Sequence, residues 1–163
     1  MPFIEMRVGI GYDIHRFAAG RKLVMGGVEI PYERGLGGHS DADVLCHAVM
    51  DALLGAAGLP DIGVQFPNTD SSYKDISSLK LMEKVRDLLV NKEWHIINVD
   101  VTVIAEEPRI SPLVETMKER ISRALKIDKG QTGIKCTTNE GLGFIGRKEG
   151  IAALAAVLID GRQ

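Results

Sequence analysis

From Met6 to Asp13, apolar or aromatic residues (Met6, Val8, Ile10, Tyr12) alternate with Arg7, Gly9, Gly11 and Asp13. A period of two predicts a β-strand over 6–14. Ile97, Val99, Val101 and Val103, set around Asn98, Asp100 and Thr102, predict another. Between them the period lengthens. Leu45, Val49, Ala52, Leu53 and Ala56 recur at helical spacing and predict a helix over 41–56. Ser40 followed by Asp43 has the form of its capped start. Asp43, His47 and Asp51 then share one line on its polar side. Residues 72–91 predict a second helix, with Leu81, Val85, Leu88 and Leu89 or Ile76, Leu79, Met82 and Leu89 as its stripe. Ser111-Pro112 opens a third, burying Leu113, Met117, Ile121, Ala124 and Leu125.

Shorter patterns complete the chain. Two apolar runs around Gly26-Gly27 suggest a small hairpin. Residues 31–39, with Pro31, Gly35, Gly37 and Gly38, read as a loop leading to His39. Residues 59–70 read as an irregular polar segment that could close over a ligand. Gly133 to Thr138 predicts a strand, and Ile151 to Ile159 suits either a buried strand or a helix. The order implies an α+β domain spanning 1–163, with helices packed on a sheet.

Composition narrows the function. Apolar content of 45% and charged content of 26% are those of an ordinary globule. A net charge of −2 supplies no field for nucleic acid, and 5% aromatics supply little for base stacking. The longest apolar run has nine residues, Ile151 to Ile159, too short to cross a bilayer. The N-terminus has no signal-peptide or transit-peptide pattern. Two cysteines, Cys46 and Cys136, give no disulfide framework and read as buried free thiols of a reducing compartment. Gly141, Gly143 and Gly146 have dinucleotide-fingerprint spacing, but only 17 residues follow, too few for the βαβ unit that motif needs.

Three of the four histidines fall in two short segments, Gly11 to His15 and His39 to His47. On a strand, Asp13 and His15 point the same way, with Cα atoms roughly 7 Å apart. With His47 from the helix they make a two-histidine, one-carboxylate set, and catalytic zinc often has three protein ligands and one open position. The alternative, His15 as a loop residue and His47 as a solvated one, stays open at this level. His95, beside Trp94 at a distant strand start, offers no fourth ligand.

In order and spacing, several pieces together resemble the 2-C-methyl-D-erythritol 2,4-cyclodiphosphate synthase family of the non-mevalonate isoprenoid pathway. They are Gly11 to His15, Gly38 to Val44 with His47, Asp61 to Gly63 with Phe66-Pro67, Asn98 to Val101, Thr137 to Glu140, and Gly143-Phe144 with Gly146-Arg147. The resemblance implies a mixed four-stranded sheet with helices on one face, in a homotrimer with its sheets around the three-fold axis and active sites at subunit interfaces. It implies zinc on Asp13, His15 and His47, and magnesium or manganese held by substrate phosphates and Glu140. Catalytic roles are implied for His39, Thr138 and Glu140. His39 and Ser40, with Asp13, His15, Asp61, Gly63, Phe66 and Asn68, would hold the methylerythritol phosphate end of a cytidine diphosphate-linked substrate. Ala105, Pro108, Arg109, Ile110, Ser111, Thr137 and Thr138 would hold the cytidine diphosphate end. Phe144 and Arg147 would line an axial cavity suited to an isoprenoid diphosphate. Asn68 stands where some members have aspartate, and Ile110 and Ser111 replace bulkier neighbours of the cytosine. The implied reaction closes a cyclic diphosphate and releases CMP, in the cytoplasm or, after loss of a presequence, a plastid-type organelle. A metal-dependent nucleotide phosphohydrolase and a trimeric scaffold with a structural zinc are the competing readings.

Overall fold

The computed structural model describes residues 4–162. Residues 1–3 and 163, part of the expected single domain, lie outside the described residues. The first alternation forms strand β1 (Ile4–Ala18), longer than expected at both ends. Hairpin β2 (Leu23–Met25) and β3 (Val28–Ile30) follows as expected. Gly26 and Gly27 both have positive φ, the conformation a two-residue turn of this hand requires. Strand β4 (Gly35–Leu36) is short, and helix α1 covers Val44–Ala56. Short helix α2 (Ile62–Gln65) precedes α3 (Ser78–Asn91), then come strand β5 (Trp94–Ile104) and helix α4 (Val114–Leu125). Strand β6 (Thr132–Thr137), the single turn α5 (Gly143–Gly146) and strand β7 (Gly150–Arg162) end the chain.

The run left open between helix and strand is β7. It sits at the centre of a five-stranded sheet of order β4-β1-β7-β5-β6, one short strand more than expected. The sheet is mixed: β5 and β6 run parallel, and the other neighbours run antiparallel. Alanine propensity loses here because β7 pairs along nearly its whole length with both β1 and β5, satisfying its backbone.

Three helix starts differ from the sequence pattern. Helix α1 starts at Val44, and Asp43 itself is the N-cap, accepting from the Cys46 amide. Ser40 Oγ instead accepts from the amide of Ala42, a residue at positive φ. Helix α3 starts at Ser78 because a short turn at Ser71–Tyr73 and the positive φ of Asp75 interrupt the helical path. At the third helix, Ser111–Leu113 is a tighter 3₁₀ turn ahead of α4.

Helix α1 is not amphipathic. It lies between the sheet and α3, and every residue but Asp51 and Gly55 is buried. Its approach to β1 is unusually close. A Cβ on Gly9 would sit 1.9 Å from the Ala52 carbonyl oxygen, and one on Gly11 would sit 1.9 Å from that of Ala48. Glycine is what lets the helix backbone rest on the strand. The apolar members of the alternation face the other way, where no described element covers them: Met6, Val8, Ile10 and Tyr12 are 64%, 69%, 71% and 54% exposed.

Candidate metal centre and ligand cavities

The seating of α1 on Gly9 and Gly11 brings His47 to Asp13 and His15, the next residues on that face of β1. His15 Nε2 lies 2.9 Å and His47 Nδ1 3.1 Å from Asp13 Oδ2, and the two ring nitrogens are 3.1 Å apart. His47 is buried, so neither the expected polar side of an amphipathic helix nor the alternative of a solvated residue holds.

Where the ring protons reside follows from the outer partners. His15 Nδ1 is 2.7 Å from the Gly37 carbonyl, which can only accept, so Nδ1 carries a proton and the neutral ring has its lone pair on Nε2. His47 Nε2 lies 3.0 Å from Ser78 Oγ and 3.1 Å from Ser40 Oγ. Ser78 gives its one hydroxyl proton to Asp41 Oδ1, 2.5 Å away, so it accepts from His47 Nε2 and leaves Nδ1 bare. Two bare nitrogens and a carboxylate oxygen then face one another. Three acceptors this close repel unless a cation lies among them. Ligand atoms around tetrahedral zinc are about 3.3 Å apart, close to the spacing here, and outward ring N–H bonds are the usual second partners of metal-bound histidine. The donor set fits a divalent metal.

Burial opposes ionisation of Asp13, but the imidazoles of His15 and His47 beside it hold its carboxyl well below the usual carboxylate range, so the carboxylate is the form present. Burial works against the charged form of His15, yet Asp13 and the Gly37 carbonyl raise its pKa overall. Asp43 is wholly buried; burial and the nearby Asp41 push its carboxyl up, against amide bonds from Cys46, Gly27 and Gly26. Those bonds tie the hairpin turn to the start of α1.

A cavity of about 260 Å³ opens beside the three ligands. Gly38, His39, Ser40, Ile62, Gly63, Phe66, Asn68, Tyr73 and Leu81 complete its wall. His39 lines this wall, and its Nε2 is buried without a hydrogen-bond partner among the described residues. Asp61 is outside that wall: it caps α2 by accepting from the Val64 amide, while Asp51 holds the Ile62 amide. Segment 59–70, expected to be irregular, therefore contains a short helix anchored to α1.

A second cavity, about 220 Å³, is lined by Ala105, Glu106, Pro108, Arg109, Ile110, Ser111, Cys136, Thr137 and Thr138. All seven residues expected at the cytidine diphosphate end are among them. The two cavities share no lining residue, so one chain holds the two expected halves of the substrate site apart. Cys136 is exposed in this second hollow, contrary to the expectation of two buried thiols, whereas Cys46 is buried as expected. Glu140 is exposed on a turn at positive φ, held where Glu106 accepts from the amides of Asn139 and Gly141. Phe144 borders a third hollow with Ile14, Arg16, Glu149 and Gly150, and Arg147 pairs with Glu149.

The sequence pattern missed Ser78, Asp41 and Glu106. Ser78 is hidden in the 72–91 helical reading; the serine pair Ser77-Ser78, a helix-start signal, is what could have revealed it.

A model of the YgbB family matches residues 6–160. The 2-C-methyl-D-erythritol 2,4-cyclodiphosphate synthase of Syntrophomonas wolfei is 58% identical over 155 residues, 95% of this chain and 99% of that one. The chain belongs to the YgbB family. Solved structures of that family share its fold. The bifunctional IspDF of Campylobacter jejuni superposes with a TM-score of 0.94 at 40% identity, covering 98% of this chain and 43% of that longer one. A CDP complex of IspF from Plasmodium falciparum superposes with a TM-score of 0.85 at 36% identity, covering 97% of each.

Proposed function

We propose that this chain converts 4-diphosphocytidyl-2-C-methyl-D-erythritol 2-phosphate to 2-C-methyl-D-erythritol 2,4-cyclodiphosphate and CMP. Its class is that of the family: a lyase of isoprenoid precursor biosynthesis by the non-mevalonate route. The observation that carries the reading is the triad of acceptors, Asp13 Oδ2, His15 Nε2 and His47 Nδ1, with both ring protons committed outward.

The nucleophile, the 2-phosphate oxygen, is already anionic, so the site needs no strong base. The work is positioning and charge neutralisation, as in phosphoryl transfer generally. Zinc on Asp13, His15 and His47, and magnesium or manganese beside Glu140, would supply positive charge to phosphates that otherwise repel each other. His39 and Ser40 would bind the methylerythritol phosphate end, with Gly63, Phe66, Asn68 and the α2-capping Asp61 enclosing it against water. Ala105, Pro108, Arg109, Ile110 and Ser111 would hold the cytosine end, and Thr137 and Thr138 the diphosphate. His39, Thr138 and Glu140 are the residues assigned to stabilise charge during displacement.

The functional unit in this reading is a homotrimer of single-domain subunits. Two observations support it: the open face of β1, where Met6, Val8, Ile10 and Tyr12 stand exposed in a row, and the separate linings of the two cavities on one chain. Packing three such faces around an axis would let the metal cavity of one subunit meet the nucleotide cavity of the next. Phe144 and Arg147 would then border an axial hollow for an isoprenoid diphosphate. No described helix is long and apolar enough to cross a membrane; a cytoplasmic enzyme is the reading the bacterial relatives favour.

The test is incubation of the cytidyl substrate with zinc-loaded protein and magnesium in ¹⁸O water, followed by mass analysis. Equimolar CMP and cyclic diphosphate without solvent oxygen support the reading. Open-chain phosphates carrying ¹⁸O would instead establish a phosphohydrolase. Glu140→Gln is expected to raise the magnesium requirement; a titration matching the unaltered protein would remove Glu140 from that role.

A further inference from the structure

We propose that Asp41 and Ser78 act as a positioning pair that sets the tautomer and ring orientation of His47 and so tunes metal affinity from outside the coordination sphere. The proposal rests on reading Asp13, His15 and His47 as a metal centre. Ser78 is fully buried at the first turn of α3, and its amide and hydroxyl both donate to Asp41, at 2.9 and 2.5 Å. With its proton held by Asp41, the Ser78 oxygen can only accept from the imidazole. A bare His47 Nε2 would set lone pair against lone pair at 3.0 Å, so the ring presents Nδ1 to the centre before any ion arrives. Ser40 Oγ, which also takes the Ala42 amide, lies 3.1 Å from the same nitrogen.

The pair is anchored to segment 39–41 as well as to α3. The Asp75 amide donates to the His39 carbonyl, the Asp41 amide to the Ile76 carbonyl, and the Asp43 amide to Asp41 Oδ1. Metal ligand, cavity residue and helix start are thus held by one hydrogen-bonded chain, Asp41–Ser78–His47. Asp41 and Ser78 touch neither the cavity nor the triad's central point, so they act through His47.

The experiment measures zinc and cobalt affinity by chelator competition on the purified full-length protein, with the cobalt visible spectrum as a readout of geometry. Outer partners of metal-bound histidine are commonly worth 10–100-fold in affinity. Ser78→Ala and Asp41→Asn are each expected to weaken binding by about that factor and to alter the cobalt spectrum. Ser77→Ala removes the neighbouring hydroxyl, which makes no capping bond, and is expected to leave both unchanged. Asp41→Asn preserves size and serves if Ser78→Ala unfolds. Unaltered affinity and spectrum in a folded Ser78→Ala or Asp41→Asn variant overturn the proposal while leaving the metal centre intact. Failure of the unaltered protein to bind either ion overturns both.

Discussion

The two faces of β1 teach opposite lessons. One carries Gly9, Gly11, Asp13 and His15 and is covered by α1; the other carries Met6, Val8, Ile10 and Tyr12 and is bare. In most half-covered sheets the apolar side faces the core and the polar side faces water. Here the inner side is built of glycine and ligands, because what it must accept is a helix backbone at close range and a histidine at its end. The opposite β7 positions repeat the division: Ala153 and Ala155 are buried across from Asp13 and Gly11, while Leu154, across from Tyr12, is 46% exposed. Small residues thus mark the internal contact, and large apolar ones mark the open face that the proposed trimer would bury.

The sharpest way to break this contrast is Gly11→Val. Its side chain would collide with the Ala48 carbonyl, and overpacking of this kind costs about 3 kcal/mol or more. A lower denaturation midpoint together with weakened metal binding is expected; an unchanged midpoint would mean α1 does not need the glycine. Next comes Asp43→Ala, which leaves the amides of Gly26, Gly27 and Cys46 without their acceptor. Loss of about 3 kcal/mol is expected in urea unfolding, since buried bonds to a carboxylate are expensive to leave unmade.

On the outer face the same size of change should act on assembly. Ile10→Glu adds no clash within the chain and is expected to lower the mass seen by light scattering from three chains to one, with far-UV circular dichroism retained. A trimer that survives would return the face to ordinary surface. The smallest effect is expected from Val90→Ser. Val90 is 59% exposed on α3, away from the apolar face, and should shift stability by no more than about 0.5 kcal/mol, with no change in mass.

Much of this was legible in sequence. The alternation of β1, the Gly26-Gly27 hairpin and the run of α4 follow local rules, and Asp13, His15 and His47 stood out as a ligand set from strand and helix spacing alone. What escaped depended on partners distant in the chain. Ser78 looked like mid-helix because nothing local announces that Asp41 holds its amide and hydroxyl. Asp43 read as a third-position helix residue because the hairpin amides it binds lie at Gly26 and Gly27. Cys136 read as buried because its apolar setting does not reveal the hollow it borders.

By itself, then, the sequence determined the local geometry: where the chain pleats, where it coils, where glycine permits a turn, and which residue types could hold a metal. Periodicity and short-range hydrogen bonding suffice for those. The tertiary structure alone decided that Ile151 to Ile159 is the central strand, that α1 is buried all round, and which side of β1 faces inward. Each of these depends on pairing and packing between segments far apart in sequence, and no local pattern encodes which surface another segment will cover.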